Sequence, residues 1–337
     1  MKSGGFPERI WRGRWSRVAV LPLVLMLLAT IVLPERRPPP PVSDEAILVY
    51  RPIALRTDNP GRRDVGRLIF LEGWELSSPD PRFGGLSALH VENGRAIAVS
   101  DTGMVLRFPM PGVSPAPRIR FQPVQEGPGS GRRRSTRDTE ALLVEGERLW
   151  LSFERYNAIW RYDSETLRGQ SGARPQAMRR WPGNSGAESM VRLGDGRVLV
   201  IAEGGDRETG LTDALIFAGD PAVEGTPVTR LRYRRPPGFR PTDAALLPDG
   251  RVLILNRRLS LFQLSAKLVI ADVRGLPAGA IVESREVATL EAPLAVDNMV
   301  GLAITREDGR LIVWLLSDDD IMRLFRHTLL MKFELRL

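Results

Sequence analysis

The sequence contains no cysteine, so a disulfide, a thiolate metal centre and a cysteine nucleophile are all excluded. Histidine is almost as scarce, with only His90 and His327. A histidine-rich zinc site is therefore excluded, and a Ser-His-Asp triad would have to use one of these two. Neither lies near a nucleophile-elbow motif, and no G-x-S-x-G occurs. Lysine is confined to Lys2, Lys267 and Lys332, so the formal charge of +8 is carried by arginine. That excess is scattered, apart from Arg132, Arg133, Arg134 and Arg137 in one Gly/Ser-rich loop. No helix bears a basic stripe, and basic and aromatic residues do not interleave. We therefore expect a solvated arginine loop and no nucleic-acid partner.

Long apolar runs are also lacking, with one exception. Residues 18–33 are apolar except for Pro22 and Thr30, and Lys2, Arg9, Arg12, Arg14 and Arg17 precede them. As a helix this run would reach about 24 Å, slightly short of a bilayer core of about 30 Å. It suits a signal anchor or the core of a signal peptide, and no small-x-small cleavage site follows. We expect a basic cytoplasmic segment over 1–17 and a single-pass anchor over 18–33, with the body outside by the positive-inside rule. The alternative is secretion after cleavage. Pro38 to Pro41 open a proline-rich spacer expected over 34–66, and the folded domain is expected over 67–337.

Helical periodicity is scarce beyond Arg67, where short apolar runs alternate with Gly/Pro/Asp turns, the pattern of an all-β domain. A unit then repeats, beginning near Ser87, Glu140, Glu188, Asp243 and Val300, at steps of 48 to 57 residues. In four copies an arginine (Arg95, Arg148, Arg197, Arg251) is followed six residues later by Asp101, Glu154, Glu203 and Arg257. The fifth copy runs from Gly309 to Asp318. Each unit has room for two more strands, which in the second copy are expected at 159–162 and 177–181. The last copy is one strand short, and residues 67–74 form an unassigned strand at the other end of the domain. If this strand completes the last unit, the ring closes by joining the termini. The pattern predicts an all-β fold, a β-propeller of four-stranded blades closed by an N-terminal strand. The repeat count gives five blades, with six as the alternative and a long sandwich or solenoid as the structural runner-up.

In an antiparallel hairpin, the start of the first strand lies beside the end of the second. Asp138, Glu140, Glu188, Asp243 and Asp297 from the starts should therefore share one mouth with Asp101, Glu154, Glu203, Arg257 and Asp318 from the ends, with Asp319 and Asp320 beyond. Crowded carboxylates raise one another's pKa. A hard cation would relieve them, Ca²⁺ ahead of Mg²⁺. We take Asp101, Asp138, Glu140, Glu154, Glu188, Glu203, Asp243, Asp297 and Asp318 as candidate metal ligands. Arg155, Arg257 and Arg258 could contact an anion alongside. The alternative is that these acids simply favour turns and pair with arginines.

Several phrases resemble the phytase-like domain family, described as "esterase-like activity of phytase" proteins of bacteria. They are Gly84-Gly85-Leu86-Ser87 with Ser100-Asp101-Thr102-Gly103, Asp138-Thr139-Glu140-Ala141 with Ser152-Phe153-Glu154-Arg155-Tyr156, Glu188 with Glu203-Gly204, Thr242-Asp243 with Arg257-Arg258, and Asp297-Asn298-Met299-Val300-Gly301 with Ser317-Asp318-Asp319-Asp320 and Arg326-His327-Thr328-Leu329-Leu330. The chain departs from the family at Asn256 and Val300, where the family usually has Glu, and at Asp320, where it has Asn. The resemblance implies a propeller acting on a phosphoester or other small-molecule ester. Glu140 and Glu154 would be ligand or base, with Arg257 and Arg258 orienting the anion. We expect a monomeric hydrolase on the periplasmic side of a bacterial inner membrane. The alternatives are a non-catalytic module binding a ligand or envelope partner, and a purely structural propeller.

Overall fold

The computed structural model describes residues 44–56, 58–59, 61–129, 137–260, 264–318 and 328–337. The apolar run 18–33, the first part of the spacer, Asp319, Asp320 and His327 lie outside these. Among the described residues, no helix is long and apolar enough to cross a membrane.

The strands form five blades, antiparallel throughout except that Ile281–Val282 pairs parallel on the outer edge of the third. Blade I comprises Leu86–Glu92, Arg95–Ser100, Met104–Pro109 and Arg118–Pro123, and blade II comprises Thr139–Glu145, Arg148–Phe153, Ala158–Asp163 and Gly169–Ala173. Blade III contains Ala187–Arg192, Val198–Gly205, Leu211–Phe217 and Val228–Arg234. Blade IV contains Arg240–Leu246, Val252–Leu259, Leu264–Ala271 and Ser284–Glu291. Blade V is built from Asn298–Glu307, Arg310–Asp318 and Thr328–Leu335, and Leu68–Ser77 pairs antiparallel with the last of these. The first strand of each blade is innermost, and each inner strand touches the next around the ring, from blade I through blade V and back. The described strands account for five blades, and none is left for a sixth.

The sequence pattern follows from this stacking. The second strands are sandwiched between neighbouring blades, so both faces are buried and they read as continuous apolar runs such as Val198 to Ala202. Outer strands face solvent on one side, as the alternating burial of Arg118–Pro123 shows. The core is correspondingly divided into five apolar clusters, each filling one interface between adjacent blades.

Two expectations need correction. Residues 177–181 form a turn rather than a strand, and Met178 and Trp181 are buried at the blade II–III interface. Their apolar character reflects anchoring of that turn, with Trp181 Nε1 donating to Asp213 Oδ2 at 2.8 Å. The outer strand of blade II is Gly169–Ala173 instead, a sequence too polar and glycine-rich to signal a strand by itself. The spacer also does not run unstructured to residue 66. Glu45–Ile47 adds an edge to blade I and Val49–Pro52 adds one to blade V, with Leu48 buried between them.

Candidate functional site

The hairpin geometry brings the expected strand ends together. The Glu154 amide donates to Asp138 O at 2.8 Å, Glu203 N–H to Gly186 O at 3.0 Å, and Asp101 N–H to Gly85 O at 2.9 Å. One feature of the mouth has no signature in the repeat: every inner strand carries a register break one turn of the pleat inside its start. The inserted residues are Ser87 in blade I, Glu188 in blade III, Thr242 in blade IV and Val300 in blade V, while in blade II Glu140 and Ala141 share Ser152 as their opposite residue. A bulge re-aims side chains and restarts the alternation of faces.

This register makes Thr242, not Asp243, the counterpart of Glu140 and Glu188. Asp243 is one residue further on and points elsewhere. Its Oδ1 accepts Ala244 N–H at 2.8 Å and its Oδ2 accepts Leu302 N–H of blade V at 2.7 Å. Burial holds its pKa well above the ordinary value, against the pull of those two amides. Asp243 therefore ties blade IV to blade V. A similar one-residue shift applies in blade V. Asp297 Oδ1 accepts Asn298 N–H at 2.7 Å, while the Asn298 amide accepts from Arg257 Nη1 at 3.0 Å and donates to Asp318 Oδ2 at 3.4 Å. Asn256 is not a missing member of the ring. It is fully buried inside blade IV, where Tyr233 Oη donates to its Oδ1 at 3.0 Å.

Among the described residues, two sets of carboxylates come together, Asp138 with Glu140 and Glu154, and Glu154 with Glu188 and Glu203; within each set the nearest oxygens all lie within 4.8 Å of one another. Glu154 belongs to both. Asp101, Asp243, Asp297 and Asp318 belong to neither. Glu154 is held in a single 3-10 turn, Glu154–Tyr156, and its Oε1 accepts the Gly186 amide of blade III at 3.2 Å. A Cβ on Gly186 would stand 2.7 Å from Glu154 Cγ, so only glycine allows this approach.

The electrostatics follow from crowding under low solvation. Burial raises the Glu154 pKa to about 7, with the Asp138 and Glu203 charges adding and the Gly186 amide and Arg155 opposing. Glu140 is held well above its ordinary value by burial and then by Glu188, Glu154 and Asp138. Burial likewise raises Glu188, with Arg257 opposing and Glu203 and Glu154 reinforcing. Three guanidiniums answer these acids. Arg155 Nε donates to Asp138 Oδ2 at 3.2 Å, while Arg257 and Arg240 reach the two oxygens of Glu203 at 3.3 and 3.2 Å. Burial lowers the Arg257 pKa, but the charges of Glu188, Glu203 and Glu140 outweigh it and keep the group protonated. Arg258, expected beside Arg257, is turned outward to Ser265, Glu291 and the ring of Phe239. Strand alternation separates the two arginines. Arg240, which the sequence reading missed, becomes visible once the register is known, because it occupies in blade IV the place of Asp138 in blade II.

Five carboxylates face three guanidiniums, so only full ionisation, which a bound cation would favour, leaves two negative charges in excess. Two oxygens on one Ca²⁺ can be up to about 5 Å apart, so the spacing of up to 4.8 Å within each set fits a cation of that kind, held either by Asp138, Glu140 and Glu154 or by Glu154, Glu188 and Glu203.

No curated protein matches the chain. Among solved structures it is similar to the glutaminyl cyclase of Myxococcus xanthus, at 10% identity and a TM-score of 0.43, over 81% of this chain and 100% of that one. It is similar to the aldose sugar dehydrogenase of Streptomyces coelicolor in its PQQ-bound form, at 12% identity and a TM-score of 0.45, over 88% and 100%. The endo-arabinase of Bacteroides thetaiotaomicron gives 10% identity and a TM-score of 0.49, over 76% and 95%. The family model for phytase-like proteins, "esterase-like activity of phytase", matches residues 81–321, which is most of the chain and all five blades in part or whole, so the chain belongs to the phytase-like family.

Proposed function

We propose that the protein is a cation-assisted hydrolase of phosphoesters or other small-molecule esters, working at the mouth of blades II and III. The observation that supports it is the pair of carboxylate sets that share the buried Glu154. A bound Ca²⁺, or less suitably Mg²⁺, would stabilise negative charge developing on the ester. Burial raises Glu154 to about 7 without a cation, and as the carboxylate that a bound cation would favour it would accept a proton from water. Arg257 holds Glu203 and Asn298 in place, so it positions one wall of the site.

The second reading is a propeller that binds without catalysing. The uncharged bulge residues Ser87, Thr242 and Val300 favour it, since they leave three blades without a carboxylate at that level. One experiment on the full chain separates the two. In the hydrolase reading, Ca²⁺ raises the melting temperature, chelator reverses this, and phosphomonoester or carboxylic ester turnover is lost in Glu154→Ala. Ca²⁺-dependent stabilisation with no turnover across both ester classes selects the binding module. Turnover indifferent to chelator and to Glu154→Ala overturns the first reading.

We propose further that Leu68–Ser77 is the strand that closes the ring, and that residues 18–33 anchor a monomer to the bacterial inner membrane with its body in the periplasm. Its partners would be small esters and the membrane, and no nucleic acid. Sedimentation of the full chain with membranes, and protection of the body from protease until the periplasm is opened, would support that placement.

A further inference from the structure

A cavity of about 680 Å³ opens beside the carboxylates, between the loop after Glu203 and the loop that enters blade IV. Arg207, Arg234, Arg235 and Arg240 line it, with Pro182, Pro236 and Pro237 as its apolar part and Glu208 as the one lining acid, and Arg234 pairs with Glu283 at 2.8 Å. Arg235 is committed to the wall itself, donating to Asp206 O at 2.8 Å and to Gly210 O at 3.3 Å. Burial and then the neighbouring Arg240 charge push its pKa down, with the charges of Asp206 and Glu203 opposing. Arg240 faces both ways, because it lines the cavity while pairing with Glu203.

We propose that this cavity binds the oxyanion of a small organic phosphate. Guanidiniums match phosphate oxygens in geometry as well as charge. The volume is far larger than one phosphate needs and falls in the range of sites for small organic ligands. Pro182, Pro236 and Pro237 supply a surface for the organic part. As a substrate subsite the cavity rests on the hydrolase reading, placing an anionic end of the substrate against blades III and IV while the ester lies at the carboxylates. As an oxyanion site it does not depend on that reading.

Calorimetric titration of the full chain with phenyl phosphate tests it, run in chelator so that cation binding plays no part. Wild type should bind phenyl phosphate, and benzyl alcohol, which lacks the oxyanion, should not bind. Arg207→Gln and Arg240→Gln should each weaken binding roughly tenfold, the scale of one charge-assisted hydrogen bond. Arg207 is exposed and its replacement should leave the melting temperature unchanged, which separates lost binding from lost folding. Arg118→Gln, on the outer strand of blade I, should bind as wild type does. No binding by wild type, equal binding of benzyl alcohol, or unchanged affinity in both cavity variants overturns the proposal. Inactivity toward esters with phenyl phosphate binding intact would overturn the hydrolase reading alone.

Discussion

Glu154 carries more of the candidate site than any other residue, because both carboxylate sets include it. Its pKa of about 7 in the folded protein lies above the ordinary 4.5, so between those values the folded state holds a proton that the unfolded chain has released. Stability in chelator should therefore fall as pH rises from about 5 to about 7 through Glu154, and Glu140, Glu188 and Asp243, also raised, carry the fall in the same direction. Calorimetric melting at pH 5, 6, 7 and 8 should show a shallower slope for Glu154→Gln, and for wild type in saturating Ca²⁺, which selects the ionised form. A melting temperature that climbs over this window would contradict the assignment. Arg257 gives a complementary test. Replacing it with Met leaves Glu188 and Glu203 without their buried counter-ion, at a cost of about 3 kcal/mol in urea unfolding. Ca²⁺ should recover part of that loss, and no recovery would mean that cations do not reach these carboxylates.

At the scale of elements, the hairpins were legible in the sequence and the bulges were not. Apolar alternation and glycine turns are local signals, so the paired strands and their shared mouth could be read from residues alone. A bulge adds one residue without changing local composition, yet it reverses which side chains face the mouth. For that reason Asp243 looked like a counterpart of Glu188, although Thr242 fills that place. Arg240 was overlooked for the same reason, whereas Arg258 faces away from the mouth simply by strand alternation beside Arg257. Trp181 misled differently, since a buried turn and a buried strand are equally apolar. The bulges also set how closely inner strands approach. Gly301 follows the break in blade V, and a Cβ there would stand 2.8 Å from Leu89 Cβ and 3.1 Å from the Leu89 backbone of blade I. Backbone cannot yield cheaply, so Gly301→Ala should cost about 1–3 kcal/mol, read as a lower urea midpoint with an unchanged slope. A neutral substitution would show that the two inner strands can slide apart without penalty.

For the whole molecule, the decisive question is what holds the first and last blades together. The repeat count showed that the final unit lacked one strand and that an unassigned strand preceded the first. What it could not show was the added layer, where Leu48 lies buried between short edge strands on blades I and V. Leu68–Ser77 contributes Leu68, Phe70, Trp74 and Leu76 to the apolar clusters on both sides of blade V. Phe70 meets Phe333 edge to face at 5.6 Å, and Trp74 stacks on Trp314 at 6.3 Å. Two truncations weigh these layers separately. Beginning the chain at residue 67 removes the edge strands together with buried Leu48 and Leu55, and should lower the melting temperature while leaving one cooperative transition. Beginning it at residue 78 also removes Leu68–Ser77 and leaves Thr328–Leu335 as an open edge beside an uncovered apolar cluster. Such an edge invites pairing with another chain, so this form should aggregate or melt without cooperativity. A peptide spanning residues 67–77, supplied in trans, should restore a cooperative transition. Equal melting of the two truncated forms would mean that the ring closes without this strand, and that the other interfaces hold the propeller together.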